Sequence, residues 1–465
     1  MAALAGCAAD LRDQGRGDDV AAVCVDGTSG TVVLLDSENR PLGPGLMHDD
    51  GRAHREAAEL NSLMANHCEE VGYRFGASFA LPKLLWLRRR RPEIFERARR
   101  VSHQADYILG VLTGRFGVSD PSNSLKTGYN LVTDRWPDET RDLGLRDLLP
   151  EVPPSGSAVG ALARSVAEEV GLPASTLVLT GVTDSTAAFL ASGASEVGEV
   201  VVSLGSTLAF KGISNVLIRD PAGSVYCHRH PGGGWLPGGA SNAGAMCLRS
   251  FFPGEDLKEL DSSAIRGYPS SVLCYPLVGL GERFPFQSSD AAGFFDEASD
   301  PLDRYLSLLE GVALVERWCL ERIRDLGFPL RAPIYSTGGG SESEVWNRIR
   351  ADVIGLPVVR CRSADSAFGA AVLAGAMCFH DGNLAAASRA MTSISRRFEP
   401  DPGKASWASE MLGRLQERCR SLGWIPGEAG NRREPEPRNR SANGDDSGSA
   451  SWPLSARRPS TWRVD

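Results

Sequence analysis

The chain has 465 residues, 42% of them apolar and 23% charged, and a formal net charge of -8. That length is a prior for two or three domains. The acidic balance argues against nucleic acid as the main partner. No apolar run approaches the roughly 18 residues that cross a bilayer.

In chain order, residues 1–15 read as a short helix. The stretch "CVDGTSGTVVLLD" (Cys24 to Asp36) then reads as strand, tight polar turn, strand. "FALPKLLWLRRRRPEIFERARRV" has apolar residues at three- and four-residue spacing and predicts a helix. Its basic cluster, Leu87 to Arg100, reads as a solvated helix face rather than a binding patch. "ADYILGVLTG" predicts a helix stopped at Gly114. "STLVLTGVTDSTAAFLASGA" predicts strand, turn, helix. "EVGEVVVSLGSTLAFKGIS" predicts a second strand–turn–strand, a repeat of the opening pattern that suggests two related lobes. "LDRYLSLLEGVALVERWCLERIRDLG" is a long amphipathic helix. "APIYSTGGGSESEVWNRIRADVIGLPVVR" reads as strand, triple glycine, helix, strand. "SAFGAAVLAGAMC" is a small-residue helix suited to close packing. From Pro426 the composition turns to Pro, Ser, Arg, Asn and Gly, which predicts a disordered tail over 426–465. Alternating strands and helices imply an α/β fold.

Three short segments carry chemistry. In "VVSLGSTLAF" the small residues Gly205, Ser206 and Thr207 sit between β-prone runs, where backbone N–H groups can approach a phosphate; an ordinary hairpin reads the same way. In "GVTDSTAAF" Asp184 stands where a strand hands over to a helix. It is either a helix cap or a carboxylate facing a cleft. In "YSTGGGSESEVW" Gly338, Gly339 and Gly340 leave room for a flat ligand against the backbone, or form a plain turn. No G-x-x-x-x-G-K-[ST] occurs, and no clean G-x-G-x-x-G follows a first strand. Ten cysteines stand singly with no C-x-x-C pair, which fits reduced thiols in an intracellular compartment. Cys227, His228 and His230 are close in sequence, but no second ligand pair follows, so no metal-ligand set is assigned.

Taken together, the order of these segments resembles the FGGY carbohydrate kinases, closest to their D-ribulose kinase and xylulokinase-like subgroup. The carrying stretches are "VDGTSGTVVLLD", "ADYILGVLTG", "SDPSNSLKTGYN", "GVTDSTAAFLASGA", "SLGSTLAFK", "WLPGGASNAGA", "GERFPF" and "STGGGSESEVW". The resemblance implies an actin-like ATPase (ribonuclease H-like) fold, two lobes around a central cleft. The boundaries it implies are 1–192 for a sugar-binding lobe, 193–378 for a nucleotide-binding lobe and 379–425 for C-terminal helices. It implies ATP with Mg²⁺ and a small sugar, a ketopentose such as D-ribulose or D-xylulose, with no nucleic-acid or membrane partner. Asp184 matches the general base. Gly205, Ser206 and Thr207 match the second phosphate motif, and Gly338, Gly339 and Gly340 the adenosine motif. Ser343 matches a polar adenine contact. Ser29, with Asp26 in the same turn, matches a sugar contact. The subgroup includes plastid proteins, so the compartment reads as cytoplasmic or plastid.

The resemblance also predicts that "VDGTSG" is not the family's first phosphate motif, which has the form D-x-G-T-S on a first β-hairpin. It fits a later Asp-Gly-Thr-Ser stretch, so the first lobe is expected to lack that hairpin and to be incomplete at its N-terminus. The competing alignment makes Asp26, Thr28 and Ser29 the first motif with one residue deleted. On the incomplete reading the chain is weakly active or inactive. A reading from another class is a non-catalytic sugar- or nucleotide-binding pseudokinase.

Overall fold

In the computed structural model, which describes residues 1–296 and 300–425, the first segment forms a helix, Ala2–Asp13, as its composition predicts. The predicted tail, 426–465, lies outside the described residues. The N-terminal half carries strands β1 (Ala22–Cys24), β2 (Val32–Leu35), β3 (Arg100–His103), β4 (Ala158–Ala161) and β5 (Leu177–Leu179). β1 runs parallel to β5 and β4 antiparallel to it, in the order β1-β5-β4, so β1 is an edge strand. β2 pairs with β3, antiparallel, in register Val32↔His103 to Leu35↔Arg100, and makes single bridges to Leu46 and Pro41 on its other side.

The C-terminal half adds β6 (Val200–Leu204), β7 (Leu208–Gly212), β8 (Tyr226–Arg229) and β9 (Trp235–Ser241). A small ribbon of β10 (Cys274–Tyr275) and β11 (Phe294–Phe295) follows, then β12 (Ile334–Thr337), β13 (Val358–Cys361) and β14 (Ile394–Phe398). Seven of them form one mixed sheet in the order β14-β13-β12-β6-β7-β9-β8, with β12 parallel to both β6 and β13. Its central strands β6 and β12 are largely buried, as strands covered on both faces must be.

Two helix pairs brace this sheet. The long helix Pro301–Asp325 starts at Asp300, whose carboxylate accepts from the Leu302 N–H at 2.9 Å, with Pro301 in the first turn. It packs on helix Glu344–Ile354, and the two share a fully buried ion pair, Arg350 to Glu316, at 2.6 and 2.8 Å. The second pair is helix Asp184–Ala191 against the small-residue helix Ser366–Phe379. A Cβ on Gly369 would stand 1.7 Å from the Ala187 carbonyl oxygen, so only glycine permits this backbone approach.

Two expectations need correction. The opening motif is not a hairpin, and it does not repeat the second one. β1 and β2 flank the same turn but enter different sheets, each recruited by a partner far along the chain. Only β6 and β7 pair directly across their turn, from Val200↔Gly212 to Leu204↔Leu208. The basic helix is also shorter than its periodicity suggests. It spans Ala80–Arg90, Pro92 breaks it, and Arg100 and Val101 belong to β3.

Candidate active site

The β6–β7 turn and the loop after β12 meet at one cavity of about 320 Å³. Gly205, Ser206, Gly339, Gly340 and Ser343 all line it, although 134 residues separate Gly205 from Gly339 in number. The neighbouring strand pair β6–β12 brings them together, since each loop leaves the same end of an adjacent strand. Thr207 and Gly338 are not among the lining residues. Thr207 is exposed. Gly338 has φ +81° and lies so near β6 that a Cβ would fall 2.8 Å from the Leu204 backbone. Gly339 differs: nothing lies within 4 Å of where its Cβ would be. The triple glycine thus serves packing at one position and open space at the next. These features fit a flat, phosphorylated ligand such as ATP.

The Ser343 hydroxyl already makes two hydrogen bonds within the protein. It caps the Glu344 helix, accepting from the Trp346 N–H at 2.9 Å, and donates to Asp261 Oδ2 at 2.6 Å. Asp261 also accepts from the Tyr305 hydroxyl at 2.7 Å, and burial raises its carboxyl against both donors. Asp261, Tyr305, Arg249 and Lys258 line the cavity and were not found in the sequence. They come from segments with no glycine signature, and only folding collects them.

The second cluster gathers around Asp184. This residue opens its helix and is half-buried. Its N–H donates to the Gly27 carbonyl at 2.9 Å, and its Oδ1 accepts from the Ser185 N–H at 2.6 Å. The Asp-Gly-Thr-Ser turn therefore abuts the helix start. Within that turn Asp26 Oδ2 and Ser29 Oγ are buried without a hydrogen-bond partner. Buried polar atoms are normally satisfied, so both suit a ligand rich in hydroxyls. Thr28 is committed elsewhere: its N–H and Oγ1 lie 3.1 and 2.7 Å from Gln104 Oε1. None of residues 26–29 lines the cavity of Gly205 and Gly339.

Several polar groups brace this cluster. The Thr183 N–H donates to Ser122 Oγ at 2.7 Å, and that hydroxyl donates to Asp120 Oδ1 at 2.8 Å. Burial lifts the Asp120 carboxyl to about 6 despite its hydrogen bonds from Asn123 and Ser122. Lys126 Nζ donates to the Ser29 carbonyl at 3.3 Å, and Lys83 Nζ to the Gly30 carbonyl at 3.1 Å. From the other half of the fold, Lys211 on β7 reaches Ser185 Oγ and Thr186 Oγ1, each at 3.1 Å. Burial pulls the Lys211 ammonium down to about 7, while the Asp184 carboxylate pulls it up.

With this geometry in hand, similarity to known proteins is informative. Residues 1–191 match the N-terminal domain of the FGGY family of carbohydrate kinases, and residues 222–378 match its C-terminal domain. An autoinducer-2 kinase of Escherichia coli K12 is 29% identical over 415 residues, covering 83% of this chain and 78% of that protein. The structure of a xylulose kinase from Rhodospirillum rubrum superposes with a TM-score of 0.78 at 27% identity, covering 87% of this chain and 84% of that one. A xylulose kinase from Brucella ovis gives the same TM-score and identity, covering 87% and 85%. The fold is that of the sugar kinases of the actin-like ATPase type, as the resemblance implied.

Proposed function

The chain belongs to the FGGY family of carbohydrate kinases, ATP-using phosphotransferases, and from that premise we propose which groups carry the transfer and which sugar accepts it. The acceptor is a ketopentose, D-ribulose or D-xylulose, and Asp184 is the general base. The carrying observation is that Asp184 sits half-buried beside the Asp26–Ser29 turn, where two polar atoms have no partner. The xylulose kinases among the structural relatives support the sugar class.

In this reading ATP lies with its base in the cavity of Gly339, Gly340 and Ser343. Its phosphates run past Gly205, Ser206 and Thr207. The N–H groups of Ser206 and Thr207 have no backbone acceptor among the described residues, which suits donors aimed at phosphoryl oxygens. Gly338 shapes the loop from behind. The sugar hydroxyls meet Asp26 and Ser29. The attacking hydroxyl gives its proton to Asp184, its oxygen bonds to the γ-phosphorus, the bond to the bridging oxygen breaks, and ADP leaves. General-base help of this kind is worth about 10²–10⁴-fold, and alignment of the reactants adds to it. Bound Mg²⁺ would neutralise phosphate charge. No protein ligand set is assigned to it, since among the described residues no three His, Cys, Asp or Glu side chains gather closely enough to hold a metal.

A coupled ADP-release assay over D-ribulose, D-xylulose, other ketoses, polyols and autoinducer-2 tests the reading, with Asp184→Ala as control. Turnover with a ketopentose that vanishes in the control is the expected result. Nucleotide and sugar binding by calorimetry with no sugar phosphate formed would replace the kinase reading with that of a pseudokinase.

A further inference from the structure

Lys211 occupies an electrostatically costly place. It rises from β7, the strand that leaves the Gly205–Thr207 turn, and ends at the first turn of helix Asp184–Ala191. The N-terminus of a helix carries positive partial charge, which favours anions and opposes a cation. Among the described residues, two neutral hydroxyls receive the ammonium. Lys126, in the segment 125–127 of the half that carries Asp184, donates to the Ser29 carbonyl with its ammonium 5.3 Å from the Phe79 ring centroid, and the Asp184 carboxylate acts on it. Neither lysine has a carboxylate within ion-pair distance among the described residues.

The charges around this point act on one another. Asp184 attracts both ammonium groups, and each ammonium opposes the other. His228 on β8 is kept neutral by burial and by the same two lysines. Lys83, behind the Asp26–Ser29 turn, lies near Lys126 but is answered by the Asp50 and Asp49 carboxylates. A neutral sugar would leave the Lys211 ammonium facing neutral hydroxyls. A multiply charged anion would offset it through charge-assisted hydrogen bonds.

We propose that Lys211 and Lys126 form a two-ammonium clasp for the phosphoryl group in transit, immediately beside Asp184. This rests on the reading of Asp184 as the base that faces the terminal phosphate. The clasp ties the phosphate turn to the base: Lys211 is four residues beyond Thr207 and touches the two residues after Asp184. It adds no covalent step. It stabilises the charge on the equatorial oxygens while the hydroxyl proton goes to Asp184.

The test is calorimetric binding of MgAMP-PNP against MgADP, without sugar, to the full chain and to Lys211→Met, Lys211→Gln, Lys211→Arg and Lys126→Met. Loss of a contact to the terminal phosphate weakens AMP-PNP by about 10- to 100-fold while ADP changes little. In the parent protein the AMP-PNP preference falls as pH rises through about 7, where Lys211 loses its proton. The Arg variant keeps the preference and loses that pH dependence. The Gln variant retains hydrogen bonding to Ser185 and Thr186, so it reports on charge where the Met variant unfolds. An unchanged AMP-PNP to ADP ratio in the folded Gln variant overturns the clasp. Full turnover by Asp184→Asn would instead remove the base, a separate outcome read in a separate assay.

Discussion

The backbone N–H of Asp184 donates to the Gly27 carbonyl across 2.9 Å, fastening the start of one helix to a turn 157 residues earlier. This bond extends the parallel pairing of β1 with β5 by one further bridge, Gly27 to Thr183. It uses no side-chain atom of Asp184, so position and chemistry can be separated at this residue.

Asp184→Asn keeps the backbone bond and the helix start. The expected result is an unchanged melting temperature and unchanged nucleotide binding, with kcat lower by about 10²–10⁴-fold. Ser29→Ala removes an unpartnered buried hydroxyl and should raise the sugar KM with little effect on the ATP KM. Steady-state kinetics alongside thermal melts check both.

Adjacent glycines should respond in opposite ways. Gly338→Ala places a methyl 2.8 Å from the Leu204 backbone at φ +81°, a cost of about 2 kcal/mol or more in stability. Gly339→Leu has free space for its Cβ but fills the cavity. Its melting temperature should stay near the parent's while the ATP KM rises about tenfold, or 1.4 kcal/mol. Equal melting temperatures for the two variants would contradict this.

Glu310 makes stability depend on pH. Burial raises its carboxyl from 4.5 to about 7, against the hydrogen bonds from Ser270 N–H and Oγ at 2.8 and 2.5 Å. The folded chain therefore holds this proton more tightly than the unfolded chain. The resulting stability is complete below 4.5 and is lost as pH rises through about 7. Melting scans on either side of neutrality should show the loss, and Glu310→Gln should flatten that part of the curve.

The Arg350–Glu316 pair is fully buried and also engages Asn347 at 2.8 Å and the Ser336 hydroxyl. Glu316→Leu strands a buried guanidinium and should cost about 3–5 kcal/mol by denaturant unfolding. Replacing both partners with apolar residues of similar volume should cost much less. Because Ser336 precedes the triple glycine by two positions, the single variant should also weaken ATP binding.

Much of this was legible in local signals. The apolar spacing of 302–327 and the glycine stop at Gly114 are short-range effects, and each produced the expected element. The strand–glycine–helix order at 334–354 did the same. The opening turn misled because β-propensity says nothing about partners: β1 and β2 look like one hairpin and belong to different sheets. The basic run misled because helical periodicity continued past Pro92, while pairing with β2 drew residues 100–103 into a strand. Asp261 and Lys211 gave no signal at all. An acidic residue in "ELDSSA" and a lysine ending "LAFK" look like ordinary surface residues until packing buries them.

The sequence by itself determined the fold class, the order of the elements and the small residues of the β6–β7 turn and of the loop after β12, because those depend on periodicity and on backbone freedom within a few residues. Tertiary structure alone decided which loops share a cavity, which hydroxyls are already spent on caps, and that Lys211 meets the first turn of the Asp184 helix. Burial and charge are sums over neighbours from distant parts of the chain, and only the packed sheets and helices supply those neighbours.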